Sequence, residues 1–148
     1  MGQGKILKTK KWIILACHNL THLLKFKLKR NIRLEILGIQ LLIDLEECDE
    51  VILDDLNKIR ELLIYAAKKG GAKIIGDTFH KFDPQGVTGI VSIAESHISI
   101  HTWPEFSYAA IDVFSCGPSF KEQISAEILI NGLKCNNPRI TRIERGLM

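Results

Sequence analysis

From Ala72 to Cys116 the chain reads as four short runs of strand-like sequence with little between them. The runs are Ala72–Phe82, Gly86–Ala94, Ile98–Trp103 and Tyr108–Cys116, joined by connections of three to five residues. A parallel neighbour needs a crossover of a dozen or more residues, so these strands must pair antiparallel. Upstream, "LGIQLLIDLEEC" sets Ile39, Leu41, Ile43 and Leu45 on one face, against Gln40, Asp44 and Glu46 on the other.

Two stretches have the helical period instead. "DEVILDDLNKIRELLIYAAKKGG" reads as a single amphipathic helix with Leu53, Leu56, Ile59, Leu62, Leu63, Ala66 and Ala67 in one stripe. Acids crowd its start, lysines its end, and Gly70-Gly71 can supply the left-handed stop. "PSFKEQISAEILINGL" reads as a second helix, opened by a capping box of Ser119 and Glu122, with Phe120, Ile124 and Ile128 as its apolar face. "NNPRITRIERG" then returns as a short edge strand. The expected class is α+β: a two-layer α/β sandwich, an antiparallel sheet with two helices on one face. The sheet's other face must be wet or meet another protomer.

Charge divides the chain. Residues 1–34 hold nine of the twenty Lys and Arg and no acid, leaving eleven bases against seventeen acids, a net charge of −6, in the remainder. We therefore read residues 1–35 as a basic accessory extension and 36–148 as the functional domain. The extension's apolar run, "WIILAC", is too short to cross a membrane or to serve as a signal-peptide core. Four cysteines without CxxC spacing suggest reduced thiols and a cytoplasmic protein rather than a disulfide scaffold or a zinc ribbon.

The chemistry concentrates in "ESHISIHTWPE", Glu95 to Glu105. Val87, Val91 and Ile93 are odd-numbered, whereas Ile98 and Ile100 are even-numbered. One unbroken strand would send the two sets to opposite faces, so the chain must turn within "AESH". Glu95 and Ser96 sit at that break. Beyond it, His97, Ser99 and His101 share a face. The two histidines stand roughly 13 Å apart at strand rise, too far to ligate one zinc ion. No metal is expected, and His80 and His97 receive no role.

The block "FHKFDPQGVTGIVSIAESHISIHTWPEFSYAAIDVFSCG" resembles the central part of the prokaryotic S-adenosylmethionine decarboxylases, and the resemblance runs from about Leu37 to Gly146. It implies a proenzyme that cuts itself between Glu95 and Ser96 into a 1–95 chain and a 96–148 chain. Ser96 would become a pyruvoyl group, the covalent cofactor. His101 and Thr88 would assist processing, and Cys116 would be the catalytic acid beside Ser96 and His101. Phe82, Trp103 and Glu105 would bind the substrate, S-adenosylmethionine. The resemblance further implies a dimer of processed protomers with active sites at the interface, supplying the aminopropyl donor for spermidine synthesis.

Those residue types suit that chemistry. A serine hydroxyl can attack the preceding carbonyl, and a histidine can shuttle protons near neutrality. A pyruvoyl ketone is an electron sink for carbon dioxide loss, and a thiol can return the proton. Aromatic faces suit a sulfonium and an adenine. The sequence departs from the family pattern at Thr88, where serine is usual, at Ile39-Gln40, where a basic pair is usual, and in the basic extension. A pyruvoyl-dependent arginine decarboxylase of the same family is the alternative. A non-catalytic binding domain with its basic extension on nucleic acid is a third reading, and neither nucleic acid nor membrane is an expected partner.

Overall fold

The computed structural model describes residues 35–117 and 119–148, so the basic extension lies outside the described residues but for Glu35. Six strands form one antiparallel sheet: β1 (Ile36–Glu46), β2 (Ile74–Lys81), β3 (Val87–Ile93), β4 (Ser96–Trp103), β5 (Tyr108–Ser115) and β6 (Asn137–Leu147). Their order across the sheet is β2-β3-β4-β5-β1-β6. Helices α1 (Glu50–Leu53), α2 (Leu56–Lys69) and α3 (Glu122–Gly132) complete the described fold.

Strand alternation puts Leu41, Ile43 and Leu45 of β1 in the same buried layer as Ile98 and Ile100 of β4 and Ala109, Ile111 and Val113 of β5. Ile59, Leu63, Ala66 and Ala67 of α2 close that layer with Ala126 and Leu129 of α3. Burying one aliphatic side chain contributes about 1.5–3 kcal/mol, so this layer is the main source of stability. The expected α+β sandwich is the one observed.

Two details differ from the sequence reading. The expected single helix breaks at Asp54-Asp55, because the Asp55 carboxylate accepts from Asn57 N and Lys58 N at 3.1 Å each and starts α2 as a new helix. Its C-terminus follows expectation: Gly71, with φ +89°, is left-handed, and Gly71 N and Ala72 N donate to Lys68 O and Ala67 O. The capping box at Ser119 is not formed. Helix α3 begins at Glu122, with Lys121 as an N-cap that makes no side-chain bond. Lys121 N instead donates to Gly70 O at 2.8 Å, and Phe120 is buried against the core. The inward face of α3 is consequently Ser125, Ala126 and Leu129, while Ile124 is exposed. The last strand is the expected edge strand, eleven residues long.

Among the described residues no helix covers the opposite face of the sheet. Register places Gln40, Leu42 and Asp44 of β1 there, with Asp112 and Phe114 of β5, His97, Ser99 and His101 of β4, and Thr88 and Ile90 of β3. Leu42, Ile90, Trp103 and Ile143 are each more than a third exposed.

Candidate active site

The expected break in "AESH" is a two-residue turn. Ile93 pairs with Ser96, and Ala94-Glu95 joins β3 to β4. Glu95 has φ +68°, a left-handed conformation that costs a residue with a side chain roughly 1–3 kcal/mol. The strain sits at the carbonyl preceding Ser96. The Ser96 hydroxyl lies against that same Glu95 carbonyl, in a very short contact. From its other side, the Cys116 amide donates to Ser96 Oγ at 3.0 Å.

Pairing of β4 with β5 is what delivers the cysteine. Ser96 stands opposite Ser115, so the next residue, Cys116, emerges from β5 beside the turn with an exposed thiol. A hollow of about 200 Å³ lies next to it, lined by Ile36, Gly38, Ser115, Cys116 and Gly117 among others. A larger one, about 470 Å³, lies between the helices around Leu62, Tyr65 and Gly132, and none of the expected site residues lines it.

The remaining expected residues gather at the far end of the same hairpin. His101 pairs with Thr88 across β3 and β4, and its Nδ1 shares a 2.9 Å hydrogen bond with Thr88 Oγ1. Trp103 packs at 6.2 Å from the His101 ring and at 5.5 Å from Tyr108. Phe82 is half exposed, edge-on to His80 at 5.0 Å. Glu105 accepts from Gln85 Nε2 at 3.1 Å.

The structure therefore brings Ser96, Glu95 and Cys116 together at one end of β4, and Thr88, His101 and Trp103 at the other, near Phe82 and Glu105. Five residues of strand, roughly 16 Å, separate Ser96 from His101. Among the described residues no group of three or more His, Cys, Asp or Glu could hold a metal ion.

Three supporting residues were not legible in the sequence. Asp54 accepts from Gly86 N and from Lys81 Nζ at 2.9 Å each, pinning both ends of the loop that carries Phe82 and Gln85. The Gly86 amide, and after it Lys81, holds the Asp54 carboxyl below its usual range. Gln85 orients Glu105. Tyr108 donates to Asp44 Oδ1 at 2.5 Å, and this bond, with burial, pushes the phenol up to about 12. No periodicity marks such partners, because they lie 20 to 64 positions apart.

Fold and site together define a two-layer α+β domain with a serine–cysteine pair at a strained turn on the sheet's rim. The family model for S-adenosylmethionine decarboxylase matches residues 39–146. A proenzyme of that name from Thermodesulfovibrio yellowstonii is 47% identical over 112 residues, covering 76% of this chain and 83% of the relative. One from Pyrococcus horikoshii is 38% identical over 114 residues, covering 77% and 82%. The crystal structure of adenosylmethionine decarboxylase from Aquifex aeolicus superposes with a TM-score of 0.72 at 38% identity, covering 77% of this chain and 94% of that one. The chain belongs to the S-adenosylmethionine decarboxylase family. Its enzyme class is that of the family, a carboxy-lyase, as the resemblance implied.

Proposed function

We propose that this chain is a proenzyme that cuts itself between Glu95 and Ser96 and then decarboxylates S-adenosylmethionine, for spermidine synthesis in the cytoplasm. The observation that carries the reading is the Ser96 hydroxyl, held against the Glu95 carbonyl by the Cys116 amide at a left-handed residue. Attack by Ser96 Oγ on that carbonyl carbon converts the amide to an ester and frees the Ser96 nitrogen. Removal of the serine α-proton then lets the 1–95 chain leave with its carboxylate. The dehydroalanine left at residue 96 tautomerises to an imine, and water hydrolyses it, releasing ammonia and heading the 96–148 chain with a pyruvoyl group. These residues fit that group, since the turn leaves Ser96 at a strand terminus beside a thiol. The group supplies the electron sink for loss of carbon dioxide. Cys116 returns the proton, Trp103 and Phe82 present faces to adenine and sulfonium, and Glu105 accepts from the ribose hydroxyls.

Geometry also supports a dimer. His101 is too far along its strand to act on the Ser96 of its own chain, and Trp103, seven residues from Ser96, is roughly 23 Å away. A two-fold axis through the open sheet faces would lay the end of one β4 over the start of the other. Each site would then combine Ser96 and Cys116 of one protomer with His101, Thr88, Phe82, Trp103 and Glu105 of its partner. The exposed Leu42, Ile90 and Ile143 on that face are suited to be covered. The domain is taken as residues 36–148, with 1–35 accessory.

Mass spectrometry of the purified protein tests the first step: two fragments divided after Glu95, the second without an ordinary amino terminus. Carbon dioxide release from carboxyl-labelled S-adenosylmethionine and arginine tests the second. Release from arginine alone would favour the arginine decarboxylase, and an intact, inactive chain the non-catalytic domain.

A further inference from the structure

Cys48 and Cys135 face each other where the ladder between β1 and β6 runs out. That ladder ends with Glu46 paired to Asn137, and Cys48 and Cys135 each lie two residues beyond that last pair. Backbone bonds keep the segments together past the last pair: Asn136 N donates to Glu47 O at 3.4 Å, and Asp49 N to Leu133 O at 3.1 Å. Both thiols turn to the end of β1, Cys48 to the Leu45 carbonyl at 3.7 Å and Cys135 to the Glu46 carbonyl at 3.0 Å. Burial, and after it the neighbouring Cys135 sulfur, pushes the Cys48 thiol up to about 12. These backbone bonds hold the two segments side by side at the cysteines, the close approach of backbones that a disulfide needs.

We propose that Cys48 and Cys135 form a disulfide that staples together the two chains left by cleavage after Glu95. The proposal rests on the self-cleavage above, because only then do the cysteines belong to separate chains, 1–95 and 96–148. In the cut protein β1 belongs to the first chain, yet its neighbours β5 and β6 both belong to the second. The staple closes at the end of that inserted strand.

The oxidant is a low-molecular-weight disulfide of the glutathione type. The thiolate of Cys135, the more accessible of the two, attacks one sulfur of the reagent and releases one thiol. The thiolate of Cys48 attacks the Cys135 sulfur of the mixed disulfide and releases the second. Two protein thiols are oxidised, one small disulfide is reduced, and both protons end on the released thiols. In a reducing compartment the pair stays open, and it closes when the small-disulfide pool rises.

The full-length purified protein is incubated with oxidised glutathione, alkylated, and run with and without reductant, with peptide mapping of the cross-link. The expected result is two fragments with reductant, one joined species without it, and a peptide pair containing Cys48 and Cys135. Cys135→Ser and Cys135→Ala should each restore two fragments without reductant. They should also abolish the rise of several degrees in melting temperature that oxidation gives the parent. Two fragments under both conditions would overturn the staple while leaving self-cleavage intact, as would a link through Cys17 or Cys116. A single chain under both conditions would overturn the staple by way of the cleavage itself. The peptide map keeps those failures distinct.

Discussion

The Cys116 amide donates to the Ser96 hydroxyl at 3.0 Å, tying the end of β5 to the residue that opens β4. The contact is made by backbone, so it survives replacement of the cysteine side chain. Cys116→Ala should therefore still be cut after Glu95, while kcat falls about 10²–10⁴-fold, the usual worth of a positioned proton donor. Ser96→Ala should be neither cut nor active. Electrophoresis and single-turnover decarboxylation separate the two effects, and an uncut Cys116→Ala protein would show that the thiol has been given the wrong task.

A site shared between protomers makes a complementation prediction. His101→Ala alone should process slowly. Co-expressed with Ser96→Ala, it should be cut in mixed dimers, where the partner supplies the histidine. Failure to rescue, with mixed dimers demonstrated by differential tagging, would place the histidine's action within its own chain or remove it from processing.

Asp54 touches none of the expected substrate residues, yet it holds Gly86 and Lys81 on either side of their loop. Asp54→Ala should raise KM about tenfold with a smaller change in kcat, because Phe82 and Gln85 lose their anchor. Asp54→Asn, which keeps an acceptor for Gly86 N, should recover part of the loss. The carboxyl is held below its usual range, so its contribution is present above the unfolded value near 3.9. That contribution is lost only as pH falls through the lower folded value. KM should therefore stay flat through mildly acid pH, and a rise already near pH 6 would point to another group.

Tyr108 gives the alkaline counterpart. Its phenol is raised to about 12 against about 10 for an unfolded tyrosine. The folded state thus keeps a proton that the unfolded state releases, and stability should fall between pH 10 and 12. Asp44→Asn should lower the phenol toward its ordinary value and flatten that fall. Phenolate absorbance and unfolding midpoints across the alkaline range check it, and an unmoved titration in Asp44→Asn would discount the hydrogen bond.

Much of this was legible in the chain because it depends on near neighbours. Alternation in β1, β3, β4 and β5 specified which residues are buried, and the parity change between Ile93 and Ile98 located the turn at Glu95. The helical period was read correctly but its continuity was not. Asp54 and Asp55 look like two more polar positions until their carboxylates find Gly86 and the start of α2. Ser119 has the spacing of a cap, yet the bond from Lys121 N to Gly70 O and the burial of Phe120 decide where α3 begins.

The sequence by itself determined the composition of the site: a serine at a forced turn, a histidine and a threonine, a cysteine after the next strand, and aromatics with an acid. Only the tertiary structure decided their grouping. Strand rise carries Ser96 and His101 to opposite ends of one hairpin, and antiparallel pairing returns Cys116 to Ser96 alone. Local spacing reports which face a side chain takes. Which distant residue it meets depends on register between strands, and register exists only once the sheet has formed.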